Sequence, residues 1–139
     1  MFNKRCFDVN LLPTYKITLK TIFDYPFGQA QCFDRYVYFE LKKLEVLTSD
    51  MSKQIMTDID GFYKNGKYVF ISHRRFTLAV QSDSYKYVNA KKMIGVAIVG
   101  DGEDPTENLI EEQSLYGGSF AFFKNKEQAI SWAETFFIQ

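Results

Sequence analysis

Residues Lys67–Lys86 read KYVFISHRRFTLAVQSDSYK, and the fold turns on how that stretch is parsed. Tyr68-Val69-Phe70-Ile71 is a short run of aromatic and β-branched residues, the composition of a buried strand. At Ser72-His73-Arg74-Arg75 it turns polar, with the chain's only histidine and its only adjacent arginines. Ser82-Asp83-Ser84 then reads as the cap of a helix over Asp83–Lys91, with Tyr85 and Val88 as its apolar face. A strand running into a polar exit and then a helix is half of a crossover unit. In an open α/β sheet, ligands gather at the carboxyl ends of such strands.

Upstream, Ser49 opens a helix reaching about Lys64, with Met51, Ile55, Ile59 and Phe62 on one stripe. Asn65-Gly66 ends it, the glycine suiting a left-handed position past the last turn. Downstream, Met93–Val99 (MIGVAIV) is apolar on both alternating sets, as a central parallel strand covered on both faces must be. Asp104-Pro105-Thr106-Glu107 is a helix start, with Leu109, Ile110 and Tyr116 inward and Gly117-Gly118 as the stop. Ser119–Phe123 forms a last strand. Asn125 caps a final helix packed through Ala129, Ile130, Ala133, Phe136 and Phe137. Before all this, Tyr15–Asp24 alternates with period two, and Pro26 and Gly28 break it. Gly28–Phe33 and Tyr36–Leu41 then form a hairpin about Asp34-Arg35, with Val37, Phe39 and Leu41 as the core side. The order predicts an α/β domain over residues 15–139. Its N-terminal β-hairpin gives an antiparallel edge to a mainly parallel sheet with right-handed crossovers. Residues 1–14, closed by Pro13, read as a loose arm.

Seventeen acidic and seventeen basic side chains cancel, so no general field draws in nucleic acid or an anionic membrane. Cys6 and Cys32 lack metal-ligand spacing and read as free thiols of a reducing compartment. Neither a secretory leader nor an apolar run of about 20 residues is present. The expectation is a soluble, cytoplasmic protein.

YVFISHRRFTLAV at Tyr68–Val80, GVAIV at Gly95–Val99 and FAFFKNKEQAISWA at Phe120–Ala133 carry a family likeness. Together with the hairpin start, they make the chain resemble the STAS, or SpoIIAA-like, architecture, and more closely the small, mostly uncharacterised bacterial STAS/SEC14-like proteins. The likeness spans roughly Thr18 to Phe137. It implies a regulatory or ligand-binding module without a defined chemistry. In anti-sigma-factor antagonists a regulatory phosphoserine opens the helix after the second parallel strand, within an Asp-Ser motif. Ser82 is the matching position, with Gln81 in place of the aspartate. A plain N-cap, worth about 1 kcal/mol, also accounts for that serine.

His73, Arg74 and Arg75 are the candidate anion or ligand site, since guanidinium forks match phosphate or carboxylate. The plainer reading makes them surface residues paired with Asp101, Glu103 and Asp104. That acidic group lacks calcium-loop spacing, and one histidine argues against a metal centre. No phosphate-binding loop, dinucleotide fingerprint, nucleophile elbow or receiver-type acid set occurs, so no catalytic residue and no cofactor is assigned. Phe23, Tyr25, Phe27, Phe33, Tyr36, Tyr38 and Phe39 crowd the N-terminal strands, as core filling, as the lining of an apolar pocket or as a homodimer face. The leading expectation is a binding module for a protein partner or a small apolar or anionic ligand. The alternative is a small enzyme using His73 with Arg74 or Arg75 on a phosphorylated or carboxylated substrate.

Overall fold

A computed structural model describes residues 18–75, 78–100 and 107–138; the expected arm at 1–14 and the acidic turn at 101–104 lie outside these. Among the described residues, eight strands and three α-helices follow one another: β1 (Thr21–Tyr25), β2 (Gly28–Cys32), β3 (Tyr36–Leu41), β4 (Val46–Leu47), α1 (Ser49–Tyr63), β5 (Tyr68–His73), β6 (Ala79–Val80), a 3₁₀ turn (Ser84–Tyr87), β7 (Met93–Val99), α2 (Glu107–Leu115), β8 (Ser119–Phe123) and α3 (Lys126–Thr135). The main sheet has the order β1-β2-β3-β5-β7-β8, and β4 pairs with β6 in a separate two-stranded ribbon. The first three strands are antiparallel and the rest are parallel.

The hairpin closes as its composition predicts, with Phe33 N–H donating to Tyr36 O at 2.9 Å. Gly28 is required by a close approach, since a Cβ there would stand 2.5 Å from the Phe39 ring and 2.6 Å from the Glu40 carbonyl oxygen. β3 departs from the one-sided pattern, for both of its faces are buried. Val37 and Phe39 join Ile55 and Ile59 of α1, with Val96 and Ile98, in one core. Tyr36 and Tyr38 join Val69, Ile71, Ala97 and Val99 beneath Ala129 and Ala133 of α3 in a second. The molecule is therefore three layers deep, and β3, β5 and β7 are sandwiched.

Local corrections have identifiable causes. Thr48, not Ser49, caps α1, its hydroxyl accepting from Met51 N–H at 3.2 Å. The buried stripe of α1 runs through Ser52, Ile55, Met56, Ile59 and Tyr63, leaving Met51 and Phe62 half-buried. Tyr63 is drawn inward because its hydroxyl donates to the carbonyls of Phe33 and Tyr36 at 2.7 and 2.8 Å. The left-handed residue at the end of α1 is Lys64, with φ 50°, rather than Gly66. The expected helix at Asp83–Lys91 is only the four-residue 3₁₀ turn, and no side chain caps it. The Ser84 carbonyl, which an α-helix would give to Val88 N–H, accepts instead from Ser52 Oγ at 2.5 Å, and Val88 N–H turns back to Tyr85 O. In α2, Ile110 is not an inward residue but 60% exposed. α3 is as expected, with Asn125 Oδ1 accepting from Gln128 N–H at 2.9 Å.

Candidate functional site

Period-two alternation decides the fate of the polar exit from β5. Val69 and Ile71 face α3, so His73 continues on that side. Phe70 packs in the α1-side core, and Ser72 and Arg74 follow it. The three basic residues expected to act together are therefore divided.

Arg74 is buried, at 7% exposure, and so is the residue it meets, Glu112 of α2, at 2%. The pairing is bidentate, Nη1 to Oε1 at 2.6 Å and Nη2 to Oε2 at 2.8 Å, and Arg74 Nε donates to Ser72 Oγ at 3.0 Å. Tyr85, from the 3₁₀ turn, donates its hydroxyl to Glu112 Oε2 at 2.5 Å. Burial works against the charge of Arg74, but the hydrogen bonds and charge of Glu112 outweigh it and raise the guanidinium pKa. Burial, reinforced by the Glu112 charge, raises the Tyr85 phenol well above its ordinary value, so it remains a donor at neutral pH. The acidic partner of Arg74 is thus Glu112, and its place is the interior.

Beside this network lies a cavity of about 40 Å³ between the sheet and the α1 side. Its walls are mostly apolar, with Phe39 and Phe70 from the sheet, Ile55 and Met56 from α1, and Val80 and Val88 opposite them. The polar residues lining it are Ser52, Ser72, Arg74, Ser84 and Tyr85; Glu112, which holds Arg74 and Tyr85, does not line it. Of the seven crowded N-terminal aromatics, only Phe39 reaches it. The others fill core, as in the Tyr25–Phe27 and Phe33–Tyr36 stacks with centroids 5.1 and 4.7 Å apart.

His73 lies at the sheet edge on the α3 side, its Nδ1 hydrogen-bonded to the Tyr38 hydroxyl. The two rings meet edge to face, and Lys126 Nζ stands 4.4 Å from the Tyr38 centroid. Burial, with help from Glu40 and against Arg75, pushes the Tyr38 phenol up to about 12. Arg75 is exposed and pairs with Glu40 at 3.2 Å. Those two residues, with Lys42 and Lys43, border a wide open depression of about 650 Å³ at the carboxyl end of β3.

Ser82 is exposed and caps nothing. The serine built into the structure is Ser84, whose hydroxyl donates to the Leu47 carbonyl at 3.3 Å. Among the described residues no cluster of three metal-ligating side chains occurs, and no helix is long and apolar enough to cross a membrane. The residue that sequence reasoning misses is Glu112, because a glutamate in a largely polar helix has no periodic signature; Tyr85 is expected on an apolar face, but not as a donor to Glu112.

No family model matches the chain, and no curated protein matches it. Among solved structures, an uncharacterised protein of the DUF3478 family with a SpoIIAA-like fold, from Shewanella loihica PV-4, matches 88% of this chain and 98% of its own length. The TM-score is 0.50 at 17% identity. The shared property is the fold: the chain has the SpoIIAA-like α/β architecture that its pattern of elements resembles.

Proposed function

We propose that the chain is a non-catalytic binding module whose ligand is small and largely apolar, held in the cavity between the sheet and the α1 side. The observation that carries this reading is the lining itself, a mostly apolar chamber with a few polar groups, the usual composition of a small-molecule site. The size bounds the ligand. A cavity of about 150 Å³ accommodates benzene, so 40 Å³ admits a group of about one or two carbons unless the 3₁₀ turn moves aside. The divided basic residues argue against a shared catalytic role for His73, Arg74 and Arg75, since Arg74 is committed to Glu112 and His73 to the opposite face.

The test is methyl NMR of the purified protein titrated with short-chain alcohols and acids. Shifts confined to Ile55, Met56, Val80, Val88 and Val96, and abolished by the cavity-filling Val96→Leu substitution, are expected. Shifts scattered over the surface, or unaffected by that substitution, would sink the reading.

A further inference from the structure

Helices usually dock through an apolar stripe, and that of α2 is interrupted by a charge: Leu109 and Tyr116 pack on the core with Glu112 between them. From Asn108 to Leu115 its one fully buried residue is Glu112; Leu109 and Leu115 are half-buried and Ile110 is exposed. Tyr116, just past the helix, anchors that end by donating to the Met93 carbonyl. Between those apolar contacts, a buried carboxylate on a buried guanidinium ties the body of α2 to the exit of β5.

We propose that this ion pair is an exchangeable latch: a short-chain carboxylate entering the cavity takes Arg74 from Glu112 and frees α2 from the sheet. The inference rests on the cavity being a ligand site, and it names both the ligand's head group and the consequence of binding. Arg74 is the member of the pair that lines the cavity. An incoming carboxylate presents the same two-oxygen fork that Glu112 now supplies, and guanidinium and carboxylate match best in that geometry. The Tyr85 hydroxyl, which donates to Glu112 Oε2 and whose residue also lines the cavity, is placed to donate to the replacement.

Electrostatics favours an exchange over simple addition. A second carboxylate beside an intact pair would be a buried charge without a partner, whereas a swap leaves the interior neutral and returns Glu112 to water. A neutral alcohol has no charge to trade, so it fills the chamber without touching the latch. With the head group in the position Glu112 vacates, only the alkyl tail must enter the cavity, and a tail of about three carbons fits as the 3₁₀ turn moves aside.

Sodium butanoate and 1-butanol, added to the full chain and to Glu112→Gln, separate the possibilities. In the unmodified protein, butanoate is expected to speed amide hydrogen exchange across Glu107–Leu115 about tenfold, the response to roughly 1.4 kcal/mol of lost docking, while β5 and β7 stay protected. Butanol should shift the cavity methyls and leave α2 exchange unchanged. Glu112→Gln leaves Arg74 without its counter-charge. Butanoate should therefore raise the melting temperature of this variant more than that of the unmodified protein, and butanol should not. Butanoate that shifts the cavity methyls without altering α2 exchange overturns the latch and leaves the binding reading standing. If neither probe shifts those methyls, both fall. Should Glu112→Gln not fold, exchange in the unmodified chain decides alone.

Discussion

The two faces of the sheet are built from the same strands, alternate residue by alternate residue, yet they are finished differently. On one side α3 lays Ala129 and Ala133 flat on Val69, Ile71, Ala97 and Val99. Small residues there allow close approach, and Gly95 permits it too, a Cβ at that position coming within 3.0 Å of Phe136. On the other side α1, a four-residue 3₁₀ turn and a mostly polar α2 share the work, leaving a cavity and a buried ion pair. A face covered by one regular helix packs to completion. A face covered by three separate pieces has seams, and seams are where a ligand and a movable element find room.

The largest expected effect tests the ion pair. Arg74→Met leaves Glu112 buried without a counter-charge and should cost about 3–5 kcal/mol in urea unfolding. Adding Glu112→Leu should recover most of that loss, because an apolar pair needs no compensation. If the single and double variants are equally damaged, the pair is not what holds this face together. Overpacking comes next. Ala133→Leu pushes into a closed layer and should cost about 1–3 kcal/mol, whereas Val96→Leu, directed at the cavity, should change stability by less than about 1 kcal/mol. Equal costs would erase the contrast between the faces.

Alkaline pH probes both layers. Burial pushes Tyr36 and Tyr38 on the α3 side, and Tyr116 on the other, up to about 12 from 10.0. Each phenol holds its proton more tightly folded than unfolded. The stability it contributes is therefore complete below pH 10 and is lost as pH rises toward 12, about 1 kcal/mol per phenol near pH 11. Tyr38→Phe should flatten that fall in a urea series at rising pH; an unchanged slope would mean that Tyr38 titrates normally. The smallest effect is a control. Thr48→Ala and Asn125→Ala remove the caps of α1 and α3 and should each cost about 1 kcal/mol. Matched losses in thermal melts would show that the helices on the two faces are locally alike and differ only in what they rest on; a clear mismatch would place the difference in the helices themselves.

Much of the fold was legible in the residues. MIGVAIV announced a strand covered on both faces, Asn125 with Gln128 announced α3, and the order of elements announced the mainly parallel sheet. The failures cluster on the seamed face. In place of the Asp83–Lys91 helix stands a 3₁₀ turn, whose Ser84 carbonyl accepts from Ser52, far away in the chain. The pattern offers His73, Arg74 and Arg75 either as one anion site or as surface residues paired with acids, yet they lie on opposite faces and Arg74 is buried. The pairing of Arg74 with Glu112 spans 38 residues, and no local pattern encodes a partner at that distance.

Periodicity and capping chemistry act between residues a few positions apart, so the sequence by itself determined the six strands of the main sheet, the cap of α3 and the architecture they imply. Cavities, buried ion pairs and the assignment of His73, Arg74 and Arg75 to separate surroundings depend on which remote side chains arrive beside them. Burial then sets their energies, since a charge that is cheap in water is stable inside only beside its partner. That partner, Glu112, is supplied by tertiary structure alone.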